Sequence, residues 1–205
     1  MGFFDRYILP TAIDLAMRSP TVRAERERYV PQARGEVLEI GAGSGLNMPF
    51  YDAERVNTVT ALEPHPGLRK KAATAARTMP FAVQFLDLEA EKIPLDDNTM
   101  DTVLSTWTLC SIAGVTTALA EIRRVLKPGG TFIFVEHGLA PEAGVARWQN
   151  RLDTPWGWCS GGCHLNRDPG ALIRAAGFDI DMLHTGYADG PKILTYMYRG
   201  AAHTT

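Results

Sequence analysis

Residues 37–45 read Val37-Leu38-Glu39-Ile40-Gly41-Ala42-Gly43-Ser44-Gly45, a short apolar run that ends in a glycine-rich turn. The run predicts a β-strand, and the glycines let the backbone turn tightly and let a ligand approach the main chain. The dinucleotide-binding order G-x-G-x-x-G is not met, because Leu46 stands where that order has its third glycine. The order found here suits a ligand that has no pyrophosphate to seat on a helix N-terminus, which disfavours a nicotinamide-dependent oxidoreductase.

Outward from this turn, strand-like runs alternate with helix-like stretches. Further strands are predicted at 58–62, 82–86, 102–106, 131–135, 178–183 and 193–198, and helices at 68–77, 115–126 and 168–177. The alternation predicts an α/β fold, a Rossmann-like seven-stranded mostly parallel sheet with an antiparallel C-terminal edge strand and an N-terminal helical cover.

Two stretches lie outside the alternation. Residues 1–34 are predicted to form two short helices that act as a lid over the cofactor and acceptor sites, with an interfacial membrane helix as the alternative. Residues 35–205 are predicted to form the main domain. Within it, residues 138–167 form a long insertion after the fifth strand, of a length that often carries function.

The composition is typical of soluble globular chains and excludes several functions. The 205 residues are 45% hydrophobic and 21% charged, with a net charge of −2. Because there is no global basic field, no nucleic-acid partner is expected. Three cysteines make no disulfide framework, and no apolar run reaches the roughly 20 residues that cross a bilayer. We expect a cytoplasmic protein with at most peripheral membrane contact; its oligomeric state stays open.

An acidic residue follows the second predicted strand, about 20 residues after the glycine-rich turn. A carboxylate at that position, here Glu63, can accept hydrogen bonds from both ribose hydroxyls of a nucleoside. The turn and Glu63 together, across one strand–loop–helix–strand unit, predict a cofactor that contains a nucleoside.

Four successive motifs resemble those of a known family: residues 37–45, Leu62-Glu63-Pro64, residues 89–101 and residues 121–130. They are similar to the motifs of class I S-adenosylmethionine-dependent methyltransferases, and most of all to the ubiquinone/menaquinone-type branch. The resemblance covers roughly residues 30 to 137. It implies S-adenosylmethionine as the cofactor and methyl transfer as the activity.

The resemblance also assigns cofactor-binding residues. It implies that Gly41, Gly43 and Gly45 pass close to the methionyl part of the cofactor and that Glu63 binds the ribose. Glu89 would contact the adenine amino group, with Asp87 as a competing candidate. The other predicted cofactor-binding residues are Glu39, Asn47, Pro64, Ala90, Thr106 and Trp107.

A narrower resemblance covers the C-terminal side. Glu136-His137, Trp148-Gln149 and residues 161–167 are similar to stretches of the microsomal thiol methyltransferases of animals and their bacterial relatives. This implies a small, fairly apolar acceptor, with a thiol slightly favoured. The alternatives are a lipid-like acceptor (phosphatidylethanolamine N-methylation), quinone-type C- or O-methylation, and an S-adenosylmethionine-binding protein without catalysis.

Aromatic residues are the candidate acceptor site. Because ligands bind outside the carboxyl ends of parallel strands, we expect all four tryptophans at one rim, as an apolar pocket or as core that covers the sheet end. The predicted acceptor-binding residues are Tyr7, Trp107, Trp148, Trp156, Trp158 and Cys163.

One histidine is a candidate for catalysis. His137 follows the fifth strand and could act as a general base or only orient the insertion. Cys159, Cys163 and His164 lack a usual zinc spacing, so no metal is expected. Since no acid–base pair is evident, an easily ionised nucleophile such as a thiol is favoured.

Overall fold

The computed structural model describes residues 9–204, and a seven-stranded sheet lies at their centre. Its strands are β1 (Gly35–Ile40), β2 (Val56–Leu62), β3 (Ala82–Leu86), β4 (Met100–Thr106), β5 (Leu126–His137), β6 (Phe178–Tyr187) and β7 (Tyr196–Thr204). The α-helices are α1 (Leu9–Ala16), α2 (Pro20–Tyr29), α3 (Pro66–Ala76), α4 (Val115–Val125), α5 (Ala143–Cys159), α6 (Pro169–Ala175) and α7 (Lys192–Thr195). Short 3-10 turns occur at Val30–Gln32 and Met48–Phe50.

The strand order is β3-β2-β1-β4-β5-β7-β6. Neighbours among β1 to β5 pair in parallel, and β7 is antiparallel to both β5 and β6. The predicted Rossmann-like fold with an antiparallel pair at one edge is therefore confirmed; β6 forms the edge and β7 lies inside it. Because the order reverses between β1 and β4, the carboxyl ends of these two strands flank the crevice where such sheets bind ligands.

The last strand begins later than the sequence predicts. Residues 193–195 belong to α7, and the strand runs over Tyr196–Thr204, so the predicted strand at 193–198 is wrong in its first half. A short apolar run fits a helical turn or a strand equally well. Tertiary contact decides here, because the carbonyl of Ile193 accepts a hydrogen bond from Gln149 of α5.

Alternating side chains of the strands supply two apolar layers, one on each face of the sheet. On one face, Leu38 of β1 and Phe132 of β5 pack against Leu119 and Ile122 of α4. On the other face, the strand residues next to these pack against Tyr29 at the end of α2. Burying each large side chain contributes about 1.5–3 kcal/mol, so these layers hold the carboxyl ends of the strands in place.

Helices α1 and α2 lie over the glycine-rich turn. Asp14 of α1 accepts hydrogen bonds from Ser44 in the turn and from Lys71 of α3, the latter at 3.2 Å. Arg26 of α2 donates to the Asn47 side chain at 2.9 Å. This is the helical cover that the sequence predicts; its action as a lid stays a prediction. No helix within residues 9–204 has both the length and the apolar character needed to cross a membrane.

Gly200 provides a test of the β6–β7 hairpin. A Cβ at this position would overlap the carbonyl oxygen of Met182, beside a bulge in β6. Because backbone cannot move aside cheaply, we expect Gly200→Ala to lower the free energy of unfolding by about 1–3 kcal/mol, measured by chemical denaturation. Gly144→Ala is the control, since a Cβ there in α5 meets nothing within 4 Å. Equal stability of the two variants would contradict the packing described.

Candidate active site

The glycine-rich turn lies at the carboxyl end of β1. Gly41 has φ +66° and Gly45 has φ +82°, values that favour glycine. A Cβ at Gly41 would lie 2.5 Å from the Thr108 side chain, and one at Gly45 would lie 3.0 Å from the Cα of Ala72 in α3. These two glycines therefore let the turn pack closely against its neighbours.

Gly43 differs, because its Cα faces open space. A Cβ there would meet only the carbonyl of Gly41, at 4.0 Å. The N–H of Gly43 donates to Glu63 at 2.7 Å, and the N–H of His65 donates to the other oxygen of that carboxylate at 2.8 Å. Burial raises the pKa of Glu63, whereas these two hydrogen bonds lower it. The turn and the end of β2 are thus joined through one carboxylate.

Beside this junction lies a cavity of about 400 Å³, within the range of small-molecule sites. The predicted cofactor-binding residues that line it are Gly41, Glu63, Pro64, Glu89, Ala90 and Trp107. A smaller cavity of about 120 Å³ shares Gly41 and Trp107 with the first. Its lining adds the predicted residues Gly43, Asn47 and Thr106.

Three predicted cofactor-binding residues lie outside both cavities: Gly45, Glu39 and Asp87. Gly45 packs on α3. Asp87 is exposed and forms a two-pronged ion pair with Arg69, at 2.7 and 2.8 Å. Of the two adenine candidates, only Glu89 lines the larger cavity, so the geometry favours it.

Glu39 is buried behind the turn, where it acts as a fixed acceptor. Its carboxylate accepts from Asn47 at 2.8 Å and from the Tyr51 hydroxyl at 2.9 Å. The Asn47 amide also donates to Thr106 at 3.0 Å, which ties the turn to β4. Burial raises the pKa of Glu39 to about 7. In this arrangement Glu39 positions the turn and does not line the cavities.

The loop after β4, residues 107–114, forms the opposite wall. Trp107 lines both cavities and has φ +52°, a strained conformation for a bulky residue. Its N–H donates to the Val135 carbonyl at 2.8 Å, and the guanidinium of Arg26 lies 5.0 Å from its ring centroid. These contacts hold the indole in place.

A buried carboxylate fixes the same loop. Glu136 accepts hydrogen bonds from Ser105 at 2.7 Å, from the N–H of Thr108 at 2.9 Å and from the N–H of Leu109 at 3.2 Å. Burial raises its pKa to about 7. The sequence analysis missed this role, although a glutamate at the end of an apolar strand was a signal for it.

The predicted rim of four tryptophans does not form. Trp148 and Trp158 are 54% and 77% exposed, and neither lines the cavities. Trp156, half-buried, does not line them either. Residues 143–159 of the insertion form helix α5, which contains Pro155 and carries all three of these tryptophans. Tyr7 lies outside the described residues.

His137 and Cys163 contact each other outside the cavity. The Nε2 atom of His137 lies 2.9 Å from the Sγ atom of Cys163. Hydrogen bonding to Cys110 and to His137 lowers the pKa of Cys163. Neither residue lines the cavities, so the roles of His137 as a base and of Cys163 in acceptor binding stay predictions. Ser160 and Gly161, just before Cys163, do line the larger cavity.

Comparison with known proteins accounts for this architecture. Residues 38–134 match the family described as methyltransferase domain. The chain is 35% identical over 147 residues to thiol S-methyltransferase TMT1B of Rattus norvegicus, covering 69% of this chain and 59% of that protein. It is 33% identical over 154 residues to TMT1A of Homo sapiens, covering 72% and 62%. The chain belongs to the class I S-adenosylmethionine-dependent methyltransferase family. It spans about three fifths of the length of these two relatives.

More distant similarities extend to one further methyltransferase sequence and to solved structures of the same fold. Phosphatidylethanolamine N-methyltransferase of Cereibacter sphaeroides is 26% identical over 147 residues, covering 69% of this chain and 71% of that protein. A possible histamine N-methyltransferase from Thermotoga maritima has a TM-score of 0.67 at 21% identity, covering 98% of this chain and 97% of that one. The [4+2]-cyclase SpnF has a TM-score of 0.68 at 21% identity, covering 89% and 79%. This methyltransferase family member thus has a fold that other chemistry also uses, so the fold alone does not decide the reaction.

Glu39 generates a pH-dependent prediction. A carboxyl whose folded pKa, about 7, exceeds its ordinary value of 4.5 stabilises the fold fully at low pH, and this contribution is lost as pH rises through 7. Glu39→Gln removes this titration and keeps groups that can pair with Asn47 and Tyr51. We expect its free energy of unfolding, relative to the unsubstituted chain, to increase by on the order of 3 kcal/mol between about pH 4 and pH 8.

Denaturant unfolding across that pH range measures the difference. Glu54→Gln is the matched control, because Glu54 is exposed. A profile for Glu39→Gln that is as flat as that of the control would mean that folding leaves the pKa of Glu39 at its ordinary value, against the effect of burial described above.

Proposed function

We propose that this chain transfers the methyl group of S-adenosylmethionine to a small, fairly apolar thiol. The observation that carries the proposal is the cavity where the glycine-rich turn, Glu63 and Trp107 meet at the reversal of strand order. It lies in a chain that shares 33–36% identity with several thiol S-methyltransferases. Because the chain spans only part of those proteins, their acceptor class is a proposal here.

The residues around the cavity fit the family's cofactor. The open main chain at Gly43 admits close approach of a ligand. Each oxygen of Glu63 accepts one backbone N–H, and a carboxylate has further acceptor capacity for the hydroxyls of a ribose. Glu63 would therefore hold the sugar, and Trp107 would offer an aromatic face to a cation. When bound, S-adenosylmethionine supplies a methyl group that its positive sulfonium already makes electrophilic.

The remaining task of the chain is to position the acceptor and exclude water. Ile13, Leu68 and Ile112 give the larger cavity an apolar wall suited to an apolar acceptor. Orientation of this kind can supply about 7–11 kcal/mol of the barrier reduction. Apart from the carboxyl groups of Glu63, Glu89 and Glu91, no side chain among the described residues that line this cavity could act as a base. A thiol needs little help, since its reference pKa is near 8.5, whereas an amine or phenol needs a base.

The assignment of Glu63 predicts a loss of cofactor affinity. We expect Glu63→Gln to raise the dissociation constant for S-adenosylhomocysteine about 10- to 100-fold, because hydrogen bonds to a charged group contribute roughly 1.5–3 kcal/mol. Titration calorimetry measures it. Asp87→Asn provides the comparison: its carboxylate pairs with Arg69 outside the cavity, so affinity should be kept. If Glu63→Gln binds as tightly as the unsubstituted chain, Glu63 does not hold the ribose.

The acceptor class predicts the outcome of a substrate screen. Short alkyl thiols, phosphatidylethanolamine vesicles and reduced quinones are each incubated with the chain and S-adenosylmethionine, and release of S-adenosylhomocysteine is followed. We expect turnover of thiols at a rate that rises with pH towards the thiol pKa. Turnover of phosphatidylethanolamine alone would favour the lipid alternative, which the 26% identical relative supports. Tight cofactor binding without any turnover would indicate a binding protein.

A cytoplasmic location stays a prediction.

A further inference from the structure

Three side chains of types that can bind a metal lie close together at the loop after β4. Cys110 lies in that loop, His137 ends β5, and Cys163 follows α5. Their sulfur and ring nitrogen atoms all lie within 4.8 Å of one another, and both cysteines are buried. The carbonyl of Cys110 accepts the N–H of His164 at 2.9 Å, which joins the two cysteine-bearing segments through their backbones. The backbone therefore holds the segments that carry the two cysteines next to each other.

The donor set is that of zinc. Two thiolates and an imidazole bind Zn²⁺ at about 2.3 Å and 2.0–2.1 Å, so tetrahedral geometry separates two sulfurs by about 3.8 Å and a sulfur from a nitrogen by about 3.6 Å. The distances within the cluster, from 2.9 Å between His137 and Cys163 up to the 4.8 Å limit, bracket these values. Side-chain shifts that lengthen the distance between His137 and Cys163 by about 0.7 Å would admit the ion.

We propose that Cys110, His137 and Cys163 bind one Zn²⁺ ion and leave its fourth coordination position to water or a small thiol. Two thiolates neutralise the charge of the ion inside the protein, where an unbalanced charge would be costly. Two charged neighbours are held by hydrogen bonds to the main chain: Arg167 donates to the carbonyl of Ile112, and Glu136 accepts the N–H groups of the loop. Among residues 9–204 no fourth histidine, cysteine or acid joins the group, and three protein ligands are typical of zinc sites that keep an open position.

Sequence spacing points to the wrong residues for this site. Cys159 and His164 stand near Cys163 in the chain, but the Cys159 thiol faces the carbonyls of Pro155 and Trp156, and His164 pairs with Asp153 at 2.8 Å. The ligands of the proposed site come from three separate segments. The sequence expectation of no metal rested on the spacing of Cys159, Cys163 and His164 and on the lack of a second cysteine pair to complete four ligands.

Zinc content tests the proposal directly. The full chain is incubated with Zn²⁺, freed of loosely held metal with a mild chelator, and analysed by mass spectrometry of the metal. We expect about one zinc per chain. Cys110→Ser and Cys163→Ser should each reduce the retained zinc at least tenfold, whereas Cys159→Ser, the matched control at an exposed cysteine, should retain it. Equal zinc in Cys163→Ser and Cys159→Ser would overturn the site.

Cobalt substitution keeps the test independent of variant folding. Co²⁺ in the unsubstituted chain should give the near-ultraviolet charge-transfer absorption of thiolate ligands, and adding a small thiol should shift its ligand-field bands. A chain that takes up neither metal, or whose Cys110 and Cys163 instead form a disulfide in air, would overturn the proposal. Bands that do not respond to thiol would overturn the open position. These readouts are separate from cofactor binding and methyl transfer, so they stand apart from the proposed function.

Discussion

The site depends on one carboxylate that accepts two backbone N–H groups. Glu63 joins Gly43, in the turn after β1, to His65, just past β2. Without this acceptor, two backbone donors beside a cavity would lose their partners, at a cost of about 1–3 kcal/mol each where water is excluded. The same carboxylate lines the cavity, so the group that shapes the turn is also the group that faces a ligand.

Two further buried glutamates hold other walls of the crevice in the same way, by accepting hydrogen bonds. Glu39 fixes the turn through Asn47 and Tyr51, and Glu136 fixes the loop that carries Trp107. In each case burial raises the pKa to about 7. The protein thus builds its crevice from short irregular segments held by acidic side chains that sit at the strand ends, while the apolar layers hold the strands.

The sequence predicted those parts that local backbone chemistry determines. The glycine-rich turn, the acid after β2 and the parallel strands follow from residue type and spacing, and the structure brings Gly41, Glu63 and Trp107 to one cavity. The tryptophan rim could not be predicted, because the direction of Trp148 and Trp158 depends on how α5 is rotated against the sheet. The start of β7 depends likewise on contact with α5. The cysteine–histidine cluster joins segments far apart in the chain, which no local pattern encodes.

The attachment of α1 has a consequence for the solvent around the protein. Ile13 presents an apolar side chain to both cavities, whereas Asp14, the next residue, pairs with Lys71 and Arg18, whose side chains are about half exposed. Dissolved salt screens such partly exposed ion pairs, yet salts of the sulfate type strengthen the burial of apolar groups. A single salt therefore weakens the ion pairs of Asp14 that hold this helix and strengthens the apolar contacts of Ile13. The identity of the anion decides which effect is larger.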